Sequence, residues 1–377
     1  MFNIHPILYY PNETEFVRGG IGSLAPRSCI VTEVRNGEYE LEMDIDSSSP
    51  FFDRLKIGLI ILAPHFPEVH EYMDYDDWEP FEIVDIDHDL THVAHVRAWH
   101  ISYRTSKVCV MPFSIHDGHV SPLNVWNAMD AYPTNHGFDI DDRTTTENLF
   151  DDLTDVISLR SLIGGEENSI VSLFDAEIEW KRFDVIVHDK GARGKESGVM
   201  LKYGQNITGL KRQQTAEDVY SGIVPFWKSP EPDELTGEYV IVTLPEKGVY
   251  VNNALRDYYS SYLYIPLNMT DQMGAGSVPT VSELRTAAQA FIDRYAYRNI
   301  PENIDVSFTE NPELANDGVK YLKLCDTLTV EYEDMGLSYT AMVTKTVYNV
   351  LLNRYDEISI STEPVTLNKA IKQVVRK

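Results

Sequence analysis

Four histidines, His88, His92, His95 and His100, crowd one strand-forming stretch beside Asp85, Asp87 and Asp89. Imidazole and carboxylate groups are zinc ligands, and a structural zinc wants four that converge. On a strand His92 and His95 face opposite sides, whereas His92 and His100 share one. The set reads either as a metal site or as histidines on a sheet rim, and only the first needs convergence. His116 and His119 flank Asp117-Gly118, a turn, and read as loop polar groups. Asp74/Asp76/Asp77 and Asp139/Asp141/Asp142 could offer oxygens to calcium, but neither has the spacing of an EF-hand loop. Glu177 and Glu179 are a carboxylate pair on one strand, and glycosidase work needs a defined separation across a cleft. No HExxH, GxSxG, GxxxxGK[ST] or paired CxxC occurs. GAGS (274–277) lacks the third glycine and the strand-to-helix setting of a dinucleotide loop. The expectation is no enzyme: no catalytic residue, no cofactor and no metal.

The aromatic residues leave two readings. Tyr258, Tyr259, Tyr262 and Tyr264, with Trp227, could form a shelf for wall polysaccharide. Equally they could be subunit-interface or core aromatics, the commoner use of such side chains.

These groups sit on a β-rich chain. In CIVTEVRNGEYELEMDI (29–45), Asn36-Gly37 separates two strand-like runs and suits a type I′ turn. Tyr39, Leu41, Met43 and Ile45 point one way, and Glu38, Glu40, Glu42 and Asp44 the other. Further strands are expected at 56–64, 80–86 and 91–103, enough for a small barrel or sandwich. Ser121-Pro122-Leu123 opens a short helix with Leu123, Trp126 and Met129 as its buried stripe. Ser158 and Ser169 start two more, followed by strands at 176–180, 182–189 and 198–204. Thr280-Val281-Ser282-Glu283 is a capping box opening a helix over 281–298 with Leu284, Ala288, Phe291, Ile292 and Tyr295 on one face. Strands return over 304–363, and the basic tail could form a helix.

The expected fold class is β-rich α+β and multidomain: two small β-barrels with mixed α/β inserts. The divisions fall at 1–110 (first barrel), 111–200 (mixed, with a hairpin), 201–305 (mixed, with the long helix), 306–363 (second barrel) and 364–377 (helical stub). Strands near 201–215 could join the second barrel.

Bulk properties narrow the function. The chain has 377 residues, 43% of them hydrophobic, which suits a core and exceeds one ordinary domain. Asp+Glu number 59 against 32 Lys+Arg, a net charge of -27 that argues against a grip on nucleic acid. The odd count of three cysteines, Cys29, Cys109 and Cys325, in strand-like runs reads as buried free thiols. The N-terminus has no basic n-region and is broken by Pro6 and Pro11, so no secretory signal is expected. No apolar run approaches the ~20 residues of a membrane span.

Several segments resemble the phage tail-associated, prophage endopeptidase-tail family. They are CIVTEVRNGEYELEMDI (29–45), WHISYRT (99–105), the block 158–210 containing EIEWKRF and KYGQN, and 325–361 containing CDTLTV and RYDEISIS. Arg104, Lys181-Arg182, Gln205 and Cys325 depart from that family's usual residues. The order of the four segments, more than any one, carries the resemblance. It implies the N-terminal structural platform of a siphophage baseplate hub. That would be a tail-tip protein whose homotrimer, with two barrels per chain, forms a pseudo-sixfold ring below the tail tube. The partners implied are the distal tail protein, the tail tube and tape measure protein, and receptor-binding or spike proteins. DNA would be met only in passage, at ejection. The chain would be assembled in the host bacterial cytoplasm and reside in the virion. Only 16 residues follow Ser361, too few for a domain, so a wall-degrading module is not expected within this chain. The rival readings are a tail-associated peptidoglycan hydrolase lacking its catalytic module and a carbohydrate-binding adhesin. Clearing of cell walls would mark the first, and retention on wall polysaccharide the second. Glu38, Glu40 and Glu42, with Asp44 and with Glu331/Glu333/Asp334, are candidate acidic walls or interface residues. Their plainer reading is solvated strand faces.

Overall fold

A computed structural model describes residues 4–17, 19–67, 75–88, 92–116, 118–165, 168–202, 222–229, 231–232, 236–250, 263–273, 278–295, 306–308, 321–332 and 337–361. The chain divides into two compact units, 1–211 with 306–361, and 212–305 with 362–377.

The first unit is built on a twelve-stranded sheet. Its strands are β1 (Ile7–Tyr9), β2 (Gly22–Ser23), β3 (Ser28–Val34), β4 (Tyr39–Asp46), β5 (Ile60–Ala63), β6 (Glu79–His88) and β7 (Val93–His100) from the N-terminal part. Strands β16 (Glu196–Lys202), β21 (Val306–Phe308), β22 (Thr327–Tyr332), β23 (Leu337–Asn349) and β24 (Arg354–Ser361) complete it. The hairpin β3–β4 pairs Val31 with Leu41 and Glu33 with Tyr39. Along β4, burial alternates as period-2 patterning requires, with Tyr39, Leu41, Met43 and Ile45 inside.

The turn differs from the type I′ expectation. Val34 N–H donates to Glu38 O, so three residues, Arg35-Asn36-Gly37, form the loop. Asn36 takes the positive φ of 51°, and Gly37 does not. The Asn36 side chain is engaged elsewhere, as described below.

Strand β23 joins the two ends of the sequence. Its first six residues pair with β22, and Lys345–Asn349 pair with Val34–Ile30 of β3. An irregularity between Val343 and Lys345 breaks its register with β24 on its other edge. The strands expected of two barrels are therefore joined edge to edge in one sheet. The fold is strand-rich with several sheets, and none closes on itself among the described residues.

Between β7 and β16 lies a mixed module with its own apolar cluster, including Val110, Val125, Leu159, Phe174, Val185 and Val187. It holds β8 (Cys109–Met111), β9 (His119–Val120), β10 (Asp130–Tyr132), β11 (Asp139–Asp142), β12 (Asn148–Leu149), β13 (Ile157–Ser158), β14 (Ala176–Lys181) and β15 (Asp184–Asp189). Its helices are α1 (Pro122–Ala128), α2 (Leu159–Ile163) and α3 (Ile170–Phe174). Ser121, Ser158 and Ser169 cap them, each accepting a backbone N–H three residues on. Helix α1 buries Pro122, Val125 and Trp126, and Leu123 is exposed, a correction to the expected stripe. Cys29 and Cys325 are buried, but Cys109 is exposed, because Val110 takes the inward position of β8.

The second unit packs β17 (Gly222–Lys228), β18 (Ile241–Thr243), β19 (Val249–Tyr250) and β20 (Tyr264–Asn268) with the helix Val281–Tyr295. Thr280 and Glu283 form the predicted capping box: Glu283 N–H donates to Thr280 Oγ1, and Thr280 N–H donates to the Glu283 carboxylate. Leu284, Ala288 and Phe291 are buried against Ile223, Trp227 and Leu267.

Candidate functional site

The outward face of β4 was the sequence's candidate, and the fold adds two strands to it. Across β4, β7 and β6 the register sets Glu40 opposite Trp99 opposite Glu82, then Glu42–Arg97–Asp85, then Asp44–His95–Asp87. A shift between Ile83 and Asp85 keeps Asp85 on that face. Each rung carries a carboxylate on either side of a central residue. Arg97 reaches Asp85 at 3.2 Å and His95 reaches Asp44 at 2.6 Å. Burial, then Glu38 and Glu42, raise the Glu40 carboxyl above the ordinary range. Glu38 lies beyond the strand, exposed at the loop. The contribution of Glu82, Asp85 and Asp87 depends on strand pairing, which alternation alone does not give.

A second assembly has no counterpart among the sequence candidates. Where the mixed module meets the sheet, ionisable side chains form a buried seam. Arg193 Nη2 lies 2.6 Å from Glu33 Oε1, and Arg193 Nη1 donates to Ile178 O at 2.8 Å. Arg35 reaches Glu177 at 2.8 Å. Three histidine–glutamate pairs follow: His65–Glu33 at 3.3 Å, His100–Glu79 at 3.1 Å and His188–Glu179 at 2.8 Å. His100 Nδ1 accepts from Ser102 N–H, so its Nε2 carries the proton donated to Glu79.

Environment separates these acids. Burial opposes ionisation of Glu33, but Arg193 and then His65 outweigh it and hold the carboxyl down at about 2. Burial dominates at Glu79 and pushes it up to about 8. Burial also depresses His100 well below 6.5. The His188 hydrogen bond keeps Glu179 low.

The hairpin tips complete the junction. Asn36 Nδ2 donates to Ala176 O at 2.9 Å and Asn36 Oδ1 accepts from Ile178 N–H at 2.8 Å, so one amide continues the β14 ladder. At the β14–β15 turn, Arg182 N–H donates to Glu79 Oε2 at 2.6 Å and its guanidinium to Tyr75 O at 2.6 Å. Gly194 lies so close to the Cys325 backbone that a Cβ would stand 1.9 Å from its carbonyl oxygen. Lys195 N–H donates to Asp326. This arrangement fixes modules together; it contains no nucleophile with a base beside it.

The remaining candidates are placed as follows. Trp227 is 2% exposed in the core of the second unit, the core reading that its sequence left open. Tyr258, Tyr259 and Tyr262, the GAGS segment, and Glu333 and Asp334 lie outside the described residues. His95 is exposed and His100 buried, on opposite faces of β7, and His92 precedes the strand with φ 62°. Among the described residues no group of three His, Cys, Asp or Glu could hold a metal. No helix among the described residues is long and apolar enough to cross a membrane.

Three solved structures share this architecture over nearly the whole chain. The prophage tail protein gp18 of Listeria monocytogenes superposes with a TM-score of 0.58 at 12% identity, covering 99% of this chain and all of that one (100%). This is a prophage tail-protein fold. The 43 kDa tail protein of prophage MuSo2 from Shewanella oneidensis gives 0.53 at 9% identity, covering 96% and 98% of the two chains. A tail protein of Neisseria meningitidis gives 0.52 at 7% identity, covering 97% and 98%. No protein-family model matches the chain, and no curated protein matches it by sequence. The structural likeness agrees with the tail-protein resemblance carried by the four sequence segments.

Proposed function

We propose that the chain is a structural, non-enzymatic component of a phage or prophage tail tip. It acts as a baseplate hub, assembled in the bacterial cytoplasm and carried in the virion. The observation that carries this is the end-to-end likeness to three prophage tail proteins, with nearly complete coverage of both chains in each pair. In this reading the N-terminal and C-terminal arms of the large sheet serve as two similar β-modules, each a small barrel in the assembled particle. Three chains then present six like surfaces to a sixfold tail tube and its distal tail protein. The three-rung acidic face lines the route of DNA and repels its phosphates, so that ejected DNA does not stick. The buried seam keeps the mixed module in fixed register with the ring.

The test is to label purified particles with an antibody against residues 1–211 and image them. Label at the tail tip supports the assignment; label confined to heads, or absent from particles, contradicts it. Incubation of the chain with purified cell walls tests the non-enzymatic part, since a fall in turbidity would establish a hydrolase.

A further inference from the structure

A cavity of about 240 Å³ is lined by residues of the β3–β4 hairpin, helices α2 and α3 and strand β14. Its charged lining groups are Glu33, Arg160 and Arg193. Glu33 and Arg193 pair with each other, which leaves Arg160. Arg160 is half-buried, and its guanidinium lies over the Tyr103 ring at 4.1 Å. That contact uses the flat face of the group, whereas its N–H donors lie in the plane of the fork. Nη1 is buried with no hydrogen-bond partner, and no carboxylate pairs with Arg160 among the described residues.

An uncompensated guanidinium is out of character in this chain, where 59 Asp and Glu face 32 Lys and Arg. Burial holds Arg160 below the usual arginine range, with only Tyr103 acting against it. A second residue lining the cavity shares the deficit. Tyr39 is 2% exposed, and its hydroxyl is buried with no hydrogen-bond partner. Burial, then Glu33, hold that phenol well above its usual range, so it keeps its proton. Buried polar atoms are ordinarily satisfied, and both of these are donors, so what they lack is an acceptor. The Asn36 amide does not supply one, since both its ends are bonded to β14. Ile163, Val171, Ile178 and Trp180 make the rest of the wall apolar.

We propose that this cavity binds a small apolar carboxylate, with its anionic head on Arg160 and its stem along Ile163, Val171 and Ile178. The chemical class is an aromatic or branched short-chain acid. A planar carboxylate matches the forked donors of a guanidinium. The one anion on the wall does not repel the head, because Arg193 stands 2.6 Å from Glu33 and neutralises it. A cation would meet the free charge of Arg160, and a neutral guest would leave that charge unanswered. Size agrees, since an apolar cavity of about 150 Å³ holds benzene, and this one has room for a ring and a carboxylate. The site stands whether or not the chain serves in a tail tip.

Calorimetric titration of the full chain with benzoate, benzamide and acetate separates head from stem. Benzamide keeps the ring without the charge, and acetate keeps the charge without the ring. Saturable binding of benzoate is expected, with the other two at least tenfold weaker. Arg160→Met keeps an apolar stem over Tyr103 and should weaken benzoate by about tenfold or more, the scale of a lost hydrogen bond to a charged group. Benzoate should also raise the thermal midpoint of the parent and not that of Arg160→Met. Arg160→Lys, which keeps the charge and loses the fork, serves if Arg160→Met fails to fold, and it too should bind benzoate more weakly. No saturable binding of benzoate, benzamide or acetate binding as tightly, or unchanged benzoate binding in a folded variant would each overturn the proposal.

Discussion

Arg193 Nη2 and Glu33 Oε1 stand 2.6 Å apart with both side chains less than a tenth exposed, and they come from opposite sides of a module boundary. Glu33 is on β3 of the large sheet, and Arg193 is in the loop after β15. Removing one partner strands the other's charge in a site that water barely reaches. Arg193→Met is expected to destabilise the fold by about 3–5 kcal/mol. Glu33→Leu combined with Arg193→Met should recover part of that loss, because the lone buried carboxylate is gone. Denaturant unfolding of the two variants measures both effects. A single variant as stable as the parent would contradict the account of the seam.

Asn36 contributes through its amide and through its backbone. Asn36→Gly keeps the positive φ at no steric cost but removes both bonds to β14. A loss of about 1–3 kcal/mol is expected, with a slightly larger one for Asn36→Ala, which adds strain. Thermal unfolding compares them. Asn36→Gly matching the parent would show that the amide bonds contribute nothing.

The seam also sets a pH profile. Glu79, raised from 4.5 to about 8, favours the native state while protonated, so its contribution is lost as pH rises from 4.5 through 8. Glu33, lowered from 4.5 to about 2, contributes above 4.5 and loses that contribution as pH falls toward 2. His100 is held neutral, so stability also falls as the unfolded chain takes up its proton below 6.5. Glu79 and His100 act in opposite directions between 6.5 and 4.5. Stability should therefore decline from 6.5 up to 8, and decline again below 4.5. Unfolding midpoints across pH test this, and Glu79→Gln should flatten the alkaline limb; an unchanged limb would remove Glu79 as its cause.

Trp227 fills the core of the second unit. Trp227→Ala leaves a large cavity there and should cost about 3–5 kcal/mol. Loss of near-ultraviolet circular dichroism at lower denaturant reports it. A fully stable Trp227→Ala would mean the indole is not packed as described.

Much of the local structure was legible in the sequence. Alternation gave β4 its two faces, and Ser121, Ser158, Ser169 and Thr280 marked helix starts through their caps. The union of β3 with β23 was not legible, because Ile30 and Asn349 are brought together by pairing across most of the chain. Nor was the seam, although a signal existed. Cys29, Val31 and Glu33 share the inward face of β3, so a carboxylate stood where an apolar side chain belonged. Reading Glu33 as a misplaced charge would have called for a buried partner, yet only the fold supplies Arg193, 160 positions away. Asn36 misled in a related way. Its turn signal concerns the backbone alone, while its side chain serves β14.

In the proposed tail-tip role, three copies of this chain would stand in for six. Sedimentation equilibrium of the purified chain, alone and with the distal tail protein, tests it most directly. A species of about three times 43.0 kDa, or three copies per sixfold partner ring, is the predicted result. A monomer under both conditions, or a stable dimer, would contradict the account.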